Sequence, residues 1–179
     1  ATNLNSLVQL EKGEEIVACF DEVKGDTLVF FTALGNAKRT EGKEFDLRTK
    51  KTAAIALKDD DRVIAVEKQD ETAGTVIMVS KGGMSIRFAT DTVPVMGKGA
   101  GGVKCMKLDE GDRVIFAAQI ADEGEILTIS DRGYAKRSLV FDYEIQGRNG
   151  KGLKTFDFKK NGSNGTAIAA ALYVKEPYD

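Results

Sequence analysis

The sequence predicts an all-β protein built from repeated four-stranded units arranged like the blades of a propeller. Three observations carry this prediction. A turn motif recurs roughly every fifty residues, each period contains short runs of β-branched and aromatic residues, and no stretch has the periodicity of a long amphipathic helix. Repeats of ~40 to 50 residues with four short strands each are typical of blades around an axis, which protect their sheet edges by radial repetition.

The first recurring motif is an apolar residue followed by an acidic turn and a second apolar pair. It begins at Leu10, Leu57 and Leu108, and a looser copy begins at Phe158. The predicted repeat units are residues 10–57, 58–108 and 109–158, with a truncated remnant at 159–179. The chain length and an apolar fraction of 42% favour one domain, 1–179, that contains all of them.

The second motif is a strand that ends in a hairpin with the pattern glycine, three residues, arginine. The predicted strands are 27–32, 75–80 and 125–130, and the hairpins that follow are Gly35–Arg39, Gly83–Arg87 and Gly133–Arg137. Glycine at the turn permits the backbone conformations that tight hairpins need. The motif therefore supplies the two central strands of each unit.

The third motif is a loop rich in glycine and basic residues that closes each unit. It covers 95–103 in the second unit and 145–153 in the third, whereas the first unit has 47–55 there and lacks the glycines. Together the three motifs give about four strands per unit.

Composition excludes most catalytic chemistry. The chain has no histidine, which removes Ser-His-Asp and Cys-His pairs and every histidine-containing metal site. We therefore expect no catalytic residues, no metal site and no cofactor. Cys19 and Cys105 lie in β-like segments and are expected to be buried, reduced thiols. The absence of an apolar membrane span and of a signal-peptide pattern at the start predicts a cytoplasmic protein.

Two stretches resemble the C-terminal domain of the DNA gyrase A subunit. The first is Gly133–Arg137 followed by Gln146–Gly152, in which Ala135 and Asn149 depart from the family pattern. The second is Ile86-Arg87-Phe88 followed by 95–103. The family's full Gln-Arg-Arg-Gly-Gly-Lys-Gly box is absent, which favours a chain that begins after the box-bearing blade over a topoisomerase IV subunit. The resemblance spans nearly the whole chain.

The resemblance implies a β-pinwheel whose blades exchange a strand with their neighbours. It also implies a module that bends and wraps double-stranded DNA without reading sequence, beside the other domains and subunits of an ATP-dependent type II topoisomerase that introduces negative supercoils. ATP and magnesium belong to those other domains, so this part is not an enzyme by itself. The implied location is the bacterial cytoplasm, at the nucleoid and away from membranes.

The predicted DNA-binding residues are cations on the hairpins and loops. Glycine-rich loops can bring backbone N–H groups and cationic side chains against phosphates, which positions DNA and reads no sequence. The loop candidates are Lys98, Lys104, Arg148, Lys151 and Lys154, and the hairpin candidates are Lys38, Arg39, Arg87, Lys136 and Arg137. Because neighbouring side chains on a strand point to opposite faces, only one residue of each Lys-Arg pair can reach the rim, and we favour Lys38 and Lys136 there. Arg39, Arg87 and Arg137 suit a structural role and a DNA-binding role equally. Arg48, Lys50 and Lys51 are secondary candidates, because a solvated charge run explains them.

The net charge of −2 requires the cations to form a patch. The acidic turns lie at the opposite phase of the repeat from the basic loops, so we expect the two charges to be segregated. Tyr134, Phe88 and Phe141 are expected in the core.

Two other classes of function remain possible for the sequence. One is a propeller that binds proteins, and the other is an enzyme whose carboxylates, Asp59, Asp60 and Asp112, converge at the axis.

Overall fold

A computed structural model describes residue 8 and residues 10–46, 51–58 and 60–176. These residues form eleven strands and three short 3-10 helices. The strands are β1 (Thr27–Thr32), β2 (Asn36–Glu41), β3 (Val63–Lys68), β4 (Thr75–Ser80), β5 (Met84–Ala89), β6 (Val103–Lys104), β7 (Val114–Ile120), β8 (Glu125–Ser130), β9 (Ala135–Leu139), β10 (Leu153–Lys154) and β11 (Ile168–Val174). The 3-10 helices cover Gly42–Phe45, Thr90–Thr92 and Val140–Asp142. In the described ranges no helix has the length and apolar character needed to cross a membrane.

The predicted hairpins form at the predicted positions. β1, β4 and β8 have the bounds expected from sequence, and each pairs with the strand that follows it. The turn glycines Gly35, Gly83 and Gly133 have φ values of 78°, 85° and 77°, in the left-handed region that favours glycine. The all-β prediction is confirmed.

The strands form three antiparallel sheets that each combine two neighbouring repeat units. Their orders are β3-β1-β2-β6, β10-β5-β4-β7 and β11-β8-β9. In each sheet the central hairpin comes from one unit and the flanking strands come from the next unit. The strand exchange expected from the resemblance is therefore present. Among the described residues, only one side of the third hairpin has a flanking strand, and β9 forms the other edge.

The core lies between successive sheets. Side chains of β4 alternate between the two faces of the second sheet, as strand geometry requires. Val76 and Met78 pack in a cluster with Phe31 of the first sheet, whereas Ile77 packs in a second cluster with Ile126 of the third sheet. All six residues of β4 are buried, because its sheet has a neighbour on both faces.

Three side chains that were expected in the interior, those of Tyr134, Phe141 and Cys19, are exposed instead. Phe88 is fully buried as predicted, but Tyr134 is exposed and Phe141 has 85% of its surface exposed. Both belong to the third hairpin and the turn after it, whose outer edge no described segment covers. Cys19 is also exposed, and the surrounding residues 14–20 form no strand. Segments at the same repeat position form β3 and β7 by pairing with the hairpin of the unit before them, and the described residues hold no hairpin in front of Cys19.

The acidic turns hold neighbouring units together. Asp61 accepts hydrogen bonds from the backbone amide of Leu34 (2.8 Å) and the side-chain amide of Asn36 (3.1 Å), at the hairpin of the first unit. Asp112 accepts one from the amide of Gly82 (2.8 Å), at the equivalent hairpin of the second unit. At the third hairpin the arrangement is reversed. The acceptor, Asp131, lies in the hairpin turn, and its donors lie in the segment that follows.

Asp131 is therefore a site where pH acts on stability. It accepts hydrogen bonds from the Thr166 amide and hydroxyl, both at 3.0 Å. The Thr166 amide is the main cause that lowers the pKa of Asp131 from its usual 3.8. A carboxylate with a lowered folded-state pKa stabilises the fold fully above its unfolded pKa and loses that contribution as pH falls through the folded value.

We predict that Asp131→Asn destabilises the protein at neutral pH and that this difference disappears in acid. Urea unfolding of both proteins between neutral pH and pH ~3 measures it. The difference between the two unfolding free energies is expected to shrink as pH falls below 3.8 and to vanish only below the lowered folded-state pKa of Asp131. A difference that stays constant over this range would contradict a role for the charged carboxylate.

We predict that the two thiols differ sharply in reactivity. Cys105 is fully buried, and burial raises the pKa of its thiol to about 11, so little thiolate exists at neutral pH. Titration with a thiol reagent should modify Cys19 in the native protein and both cysteines in urea. Rapid native labelling of Cys105, identified by peptide mass spectrometry with Cys19→Ser as the control, would contradict the packing described above.

Candidate nucleic-acid interface

Each glycine-basic loop docks on the sheet edge of the preceding unit. The amide of Met96 donates to the carbonyl of Arg39 (2.7 Å), and the amide of Gln146 donates to the carbonyl of Arg87 (2.8 Å). After each loop, β6 and β10 complete the same edges by pairing with β2 and β5. The two loops therefore occupy equivalent places on successive sheets.

Glycine is required where these loops meet the sheets. Gly102 has a φ of 86°, and a Cβ at this position would lie 2.6 Å from the carbonyl oxygen of Ala37. Gly152 has a φ of 77° and approaches the carbonyl of Ser85 even more closely. Any side chain at either position would push the loop off the sheet. The glycines thus serve close packing, in addition to the approach of backbone amides and cations to phosphates that the sequence predicts.

The loop cations lie at the surface, and each has a partner. The ammonium groups of Lys98 and Lys104 donate to the carbonyls of Glu44 (3.4 Å) and Leu34 (2.8 Å). The half-buried guanidinium of Arg148 donates to the carbonyl of Lys104 (3.1 Å). In the described ranges none of these three cations forms an ion pair with a carboxylate. Lys151 and Lys154 instead form exposed ion pairs with Asp109 (2.6 Å) and Asp157 (2.9 Å).

Lys38 lies in the interior, so its predicted position at the rim is wrong. The side chain is fully buried, and its ammonium donates to the carbonyls of Gly97 (3.1 Å) and Lys98 (3.0 Å). It also lies 5.3 Å from the centroid of the Phe30 ring. Burial lowers the pKa of Lys38, and the nearby Glu44 opposes this shift. Strand alternation could not reveal this position because the covering loop comes from the next unit.

Arg39 and Arg87 bind the following unit. The guanidinium of Arg39 donates to the carbonyls of Val93 (2.6 Å) and Asp91 (3.3 Å). Arg87 is only 5% exposed and donates to the carbonyls of Tyr143 (3.3 Å) and Ala121 (3.3 Å), among others. Val93 and Tyr143 occupy equivalent positions after the 3-10 helices. Each arginine therefore joins its own hairpin to the next unit.

The third hairpin leaves its cations at the surface. Arg137 is exposed and pairs with Glu125 of its own hairpin. Lys136 is exposed, as expected, and its ammonium donates to the carbonyl of Thr155 (3.0 Å). Among the secondary candidates, Lys51 is exposed near Glu11 (4.0 Å), while Arg48 and Lys50 lie outside the described residues.

Positive and negative charges are not segregated, contrary to expectation. The acidic turn at Asp109 contacts Lys151 of the basic loop, because this loop folds back to the start of its own unit. A cleft beside Asn149 of the third-unit loop is lined by cations and carboxylates together: Lys104, Lys107, Arg113, Asp60, Asp109 and Asp112. Lys107 and Arg113 were missed by sequence reasoning. The signal for Arg113 was the Asp-Arg pair that ends two of the acidic turns, Asp61-Arg62 and Asp112-Arg113.

The enzyme alternative has little geometric support. Asp112 is engaged by the amides of Gly82 and Arg113, and Asp60 pairs with the Arg113 guanidinium at 3.4 Å. Asp59 lies outside the described residues. The described part of the chain holds no group of three or more carboxylate or thiol side chains suited to a metal ion.

A family model described as "DNA gyrase C-terminal domain, beta-propeller" matches residues 26–70, 74–121 and 124–164, about three quarters of the chain. The chain belongs to this family. Each matched stretch begins just before or at a central hairpin, so it contains the two strands that stay within one unit.

Members of the gyrase family match most of the chain. The DNA gyrase A subunit of Haloquadratum walsbyi is 35% identical over 170 residues, covering 89% of this chain and 20% of the relative. The DNA gyrase A subunit of Escherichia coli is 36% identical over 171 residues, covering 92% and 19%. The chain thus spans about a fifth of the length of these relatives.

Two solved structures share the fold. A DNA gyrase A C-terminal domain superposes with a TM-score of 0.80 at 27% identity, covering 97% of this chain and 58% of that chain. The C-terminal domain of a DNA topoisomerase IV superposes with a TM-score of 0.87 at 24% identity, covering 97% and 55%. The similarity to topoisomerase IV concerns the fold alone.

We predict that the equivalent arginines differ in their contribution to stability. Arg87→Ala removes a buried guanidinium and leaves several carbonyls without a donor, so the free energy of unfolding should fall by about 3 kcal/mol. Arg137→Ala, the matched control at an exposed position, should cost less than about 1 kcal/mol. Urea denaturation measures both, and equal losses would contradict the inter-unit role of Arg87.

Proposed function

We propose that this chain binds, bends and wraps double-stranded DNA as the C-terminal module of a gyrase A subunit. Its role would be to position DNA so that the complete topoisomerase introduces negative supercoils. ATP hydrolysis and DNA cleavage would belong to other domains and subunits of that enzyme. Membership in the gyrase C-terminal domain family and the sequence similarity to gyrase A subunits support this assignment.

The main structural support is the repetition of the glycine-basic loop at equivalent edges of two successive sheets. Lys104 on β6 lies opposite Asn36, and Lys154 on β10 lies opposite Met84 at the equivalent place in the next sheet. One set of cations per sheet can contact successive phosphates along a duplex. If successive sheets are rotated about a common axis, as the blades of a propeller are, a duplex that follows these loops must bend. The bend costs several kcal/mol and requires many phosphate contacts to offset it.

The local carboxylates set the strength of this interaction. Phosphate binding to Lys151 requires displacement of Asp109, whereas the charges of Lys104 and Arg148 have no carboxylate partner among the described residues. We therefore assign the primary contacts to Lys104, Arg148 and Lys98, with Lys151 and Lys154 adding to them. Lys136 and Lys51 extend the surface. Lys38, Arg39 and Arg87 donate hydrogen bonds to backbone carbonyls of the following unit. They contact no phosphate in this proposal.

A gyrase assignment is favoured over topoisomerase IV. The relatives described above are gyrase A subunits at 35% and 36% identity. Among the two solved structures the gyrase domain is 27% identical and the topoisomerase IV domain 24%. We infer sequence-independent binding because the proposed contacts are backbone phosphates.

We predict salt-sensitive binding that depends on the loops. In fluorescence anisotropy with a long duplex, affinity should fall steeply as salt increases, since each phosphate contact releases counterions. Arg148→Ala with Lys151→Ala should weaken binding at low salt and lower the salt slope by about 2. The charge-matched control, Lys24→Ala with Lys175→Ala, removes two exposed lysines outside the loops and should bind like the parent.

A variant of opposite effect sharpens the test. Asp109→Asn frees Lys151 from its ion pair and should tighten binding.

Bending is tested separately. If the protein bends DNA, ligase should circularise short duplexes faster in its presence. No binding of the parent at low salt would overturn the proposal and favour a protein-binding propeller.

A further inference from the structure

The chain contains three Asn-Gly pairs, Asn149-Gly150, Asn161-Gly162 and Asn164-Gly165. Such pairs can undergo spontaneous deamidation, because glycine has no side chain to hinder attack by its own backbone nitrogen on the preceding amide. The reaction needs two free groups, the glycine nitrogen as nucleophile and the asparagine side-chain carbon as electrophile. Hydrogen bonds to either group oppose it.

Two of the pairs are held by hydrogen bonds. The Gly162 amide donates to the carbonyl of Lys159 (2.8 Å), and the oxygen of the Asn161 side chain accepts from the amide of Ser163 (3.1 Å). The glycine nitrogen and the asparagine side chain of this pair are both engaged.

The pair Asn164-Gly165 is held more firmly. The Gly165 amide donates to the carbonyl of Gly162 (3.1 Å). The Asn164 side chain accepts from the amide of Lys159 (2.8 Å) and donates to the carbonyl of Asp157 (2.9 Å). Gly165 is also buried.

The pair Asn149-Gly150 has neither restraint. Asn149 is exposed, and within the described residues its side-chain amide has no hydrogen-bond partner and the Gly150 amide has no acceptor. Asn149 also has a φ of 66°, the one non-glycine residue in the described chain with a left-handed backbone. The equivalent loop of the second unit is closed by a bond from the Ala100 amide to the carbonyl of Gly97 (3.0 Å), and the third-unit loop lacks this bond among the described residues.

We propose that Asn149-Gly150 is a deamidation site that weakens the DNA surface. The Gly150 nitrogen loses its proton to hydroxide and bonds to the side-chain carbon of Asn149, and the side-chain nitrogen leaves as ammonia. Water then opens the resulting succinimide to aspartate or isoaspartate. The net change is one water consumed, one ammonia released and one negative charge added. No enzyme or oxidant is required.

The new charge lies in the loop that carries the proposed phosphate contacts. Asn149 is adjacent to Arg148 and two residues from Lys151, so a carboxylate there opposes binding of a phosphate to both. Isoaspartate also lengthens the backbone between the Asn149 amide, which donates to the Cys105 carbonyl (2.8 Å), and the Gly150 carbonyl, which accepts from the Lys107 amide (2.9 Å). The effect on DNA rests on the proposed function, whereas the chemistry does not.

Incubation of the whole chain at physiological temperature and mildly alkaline pH, followed by peptide mass spectrometry, tests the site. Conversion of Asn149 should precede that of Asn161 and Asn164 and should accelerate with pH. Gly150→Ala should slow it strongly, and this variant is tolerated because the added Cβ lies 3.4 Å from the nearest side-chain atom, on Ile86. Equal conversion at all three pairs, or none at Asn149, would overturn the site whether or not the protein binds DNA.

DNA binding tests the consequence separately. Asn149→Asp should bind a long duplex about three- to tenfold more weakly than the parent at low salt. Asn149→Gly, which cannot deamidate and suits the left-handed backbone, should keep parental affinity before and after incubation. Parental affinity of Asn149→Asp, in a parent that binds DNA, would overturn the effect on binding.

Discussion

The structure depends on the completion of each sheet by the next repeat unit. A central hairpin has two open edges, and the following unit closes them with a long strand on one side and a short strand after the glycine-basic loop on the other. This exchange leaves none of the described units with a complete sheet of its own. It also explains why the buried clusters lie between sheets, since each unit contributes to two of them.

Close approach of backbones makes this exchange possible and determines where glycine must occur. Gly102 and Gly152 lie against the carbonyls of the preceding sheet, where a side chain has no room. Arg39 and Arg87 then satisfy carbonyls of the incoming unit. Their charge is used inside the fold, in the way that buried polar groups generally require a partner. The same residue type at Arg137 has no incoming unit among the described residues and stays at the surface.

The distribution of surface charge follows from the same exchange of strands between units. Loops that reach the preceding sheet carry their cations to its edge, and the acidic turns that begin each unit are brought beside them. The surface is therefore a mixture of local positive and negative groups, consistent with a net charge of −2. The carboxylates of Asp61, Asp112 and Asp131 accept hydrogen bonds that join hairpins to their neighbours, so these acidic groups belong to the fold and not to a separate face.

The sequence by itself determined the fold class, the hairpins at Gly35, Gly83 and Gly133, and the repeat of glycine-basic loops, because strand composition and turn glycines are local properties of the chain. Family membership followed from motifs that are also local. The tertiary structure alone decided that Lys38 is buried and that Arg39 and Arg87 bind the following unit. It also decided that Cys19 and Phe141 are exposed. Each depends on whether a segment some fifty residues away covers the position, and a single repeat unit contains no information about the neighbour that completes it.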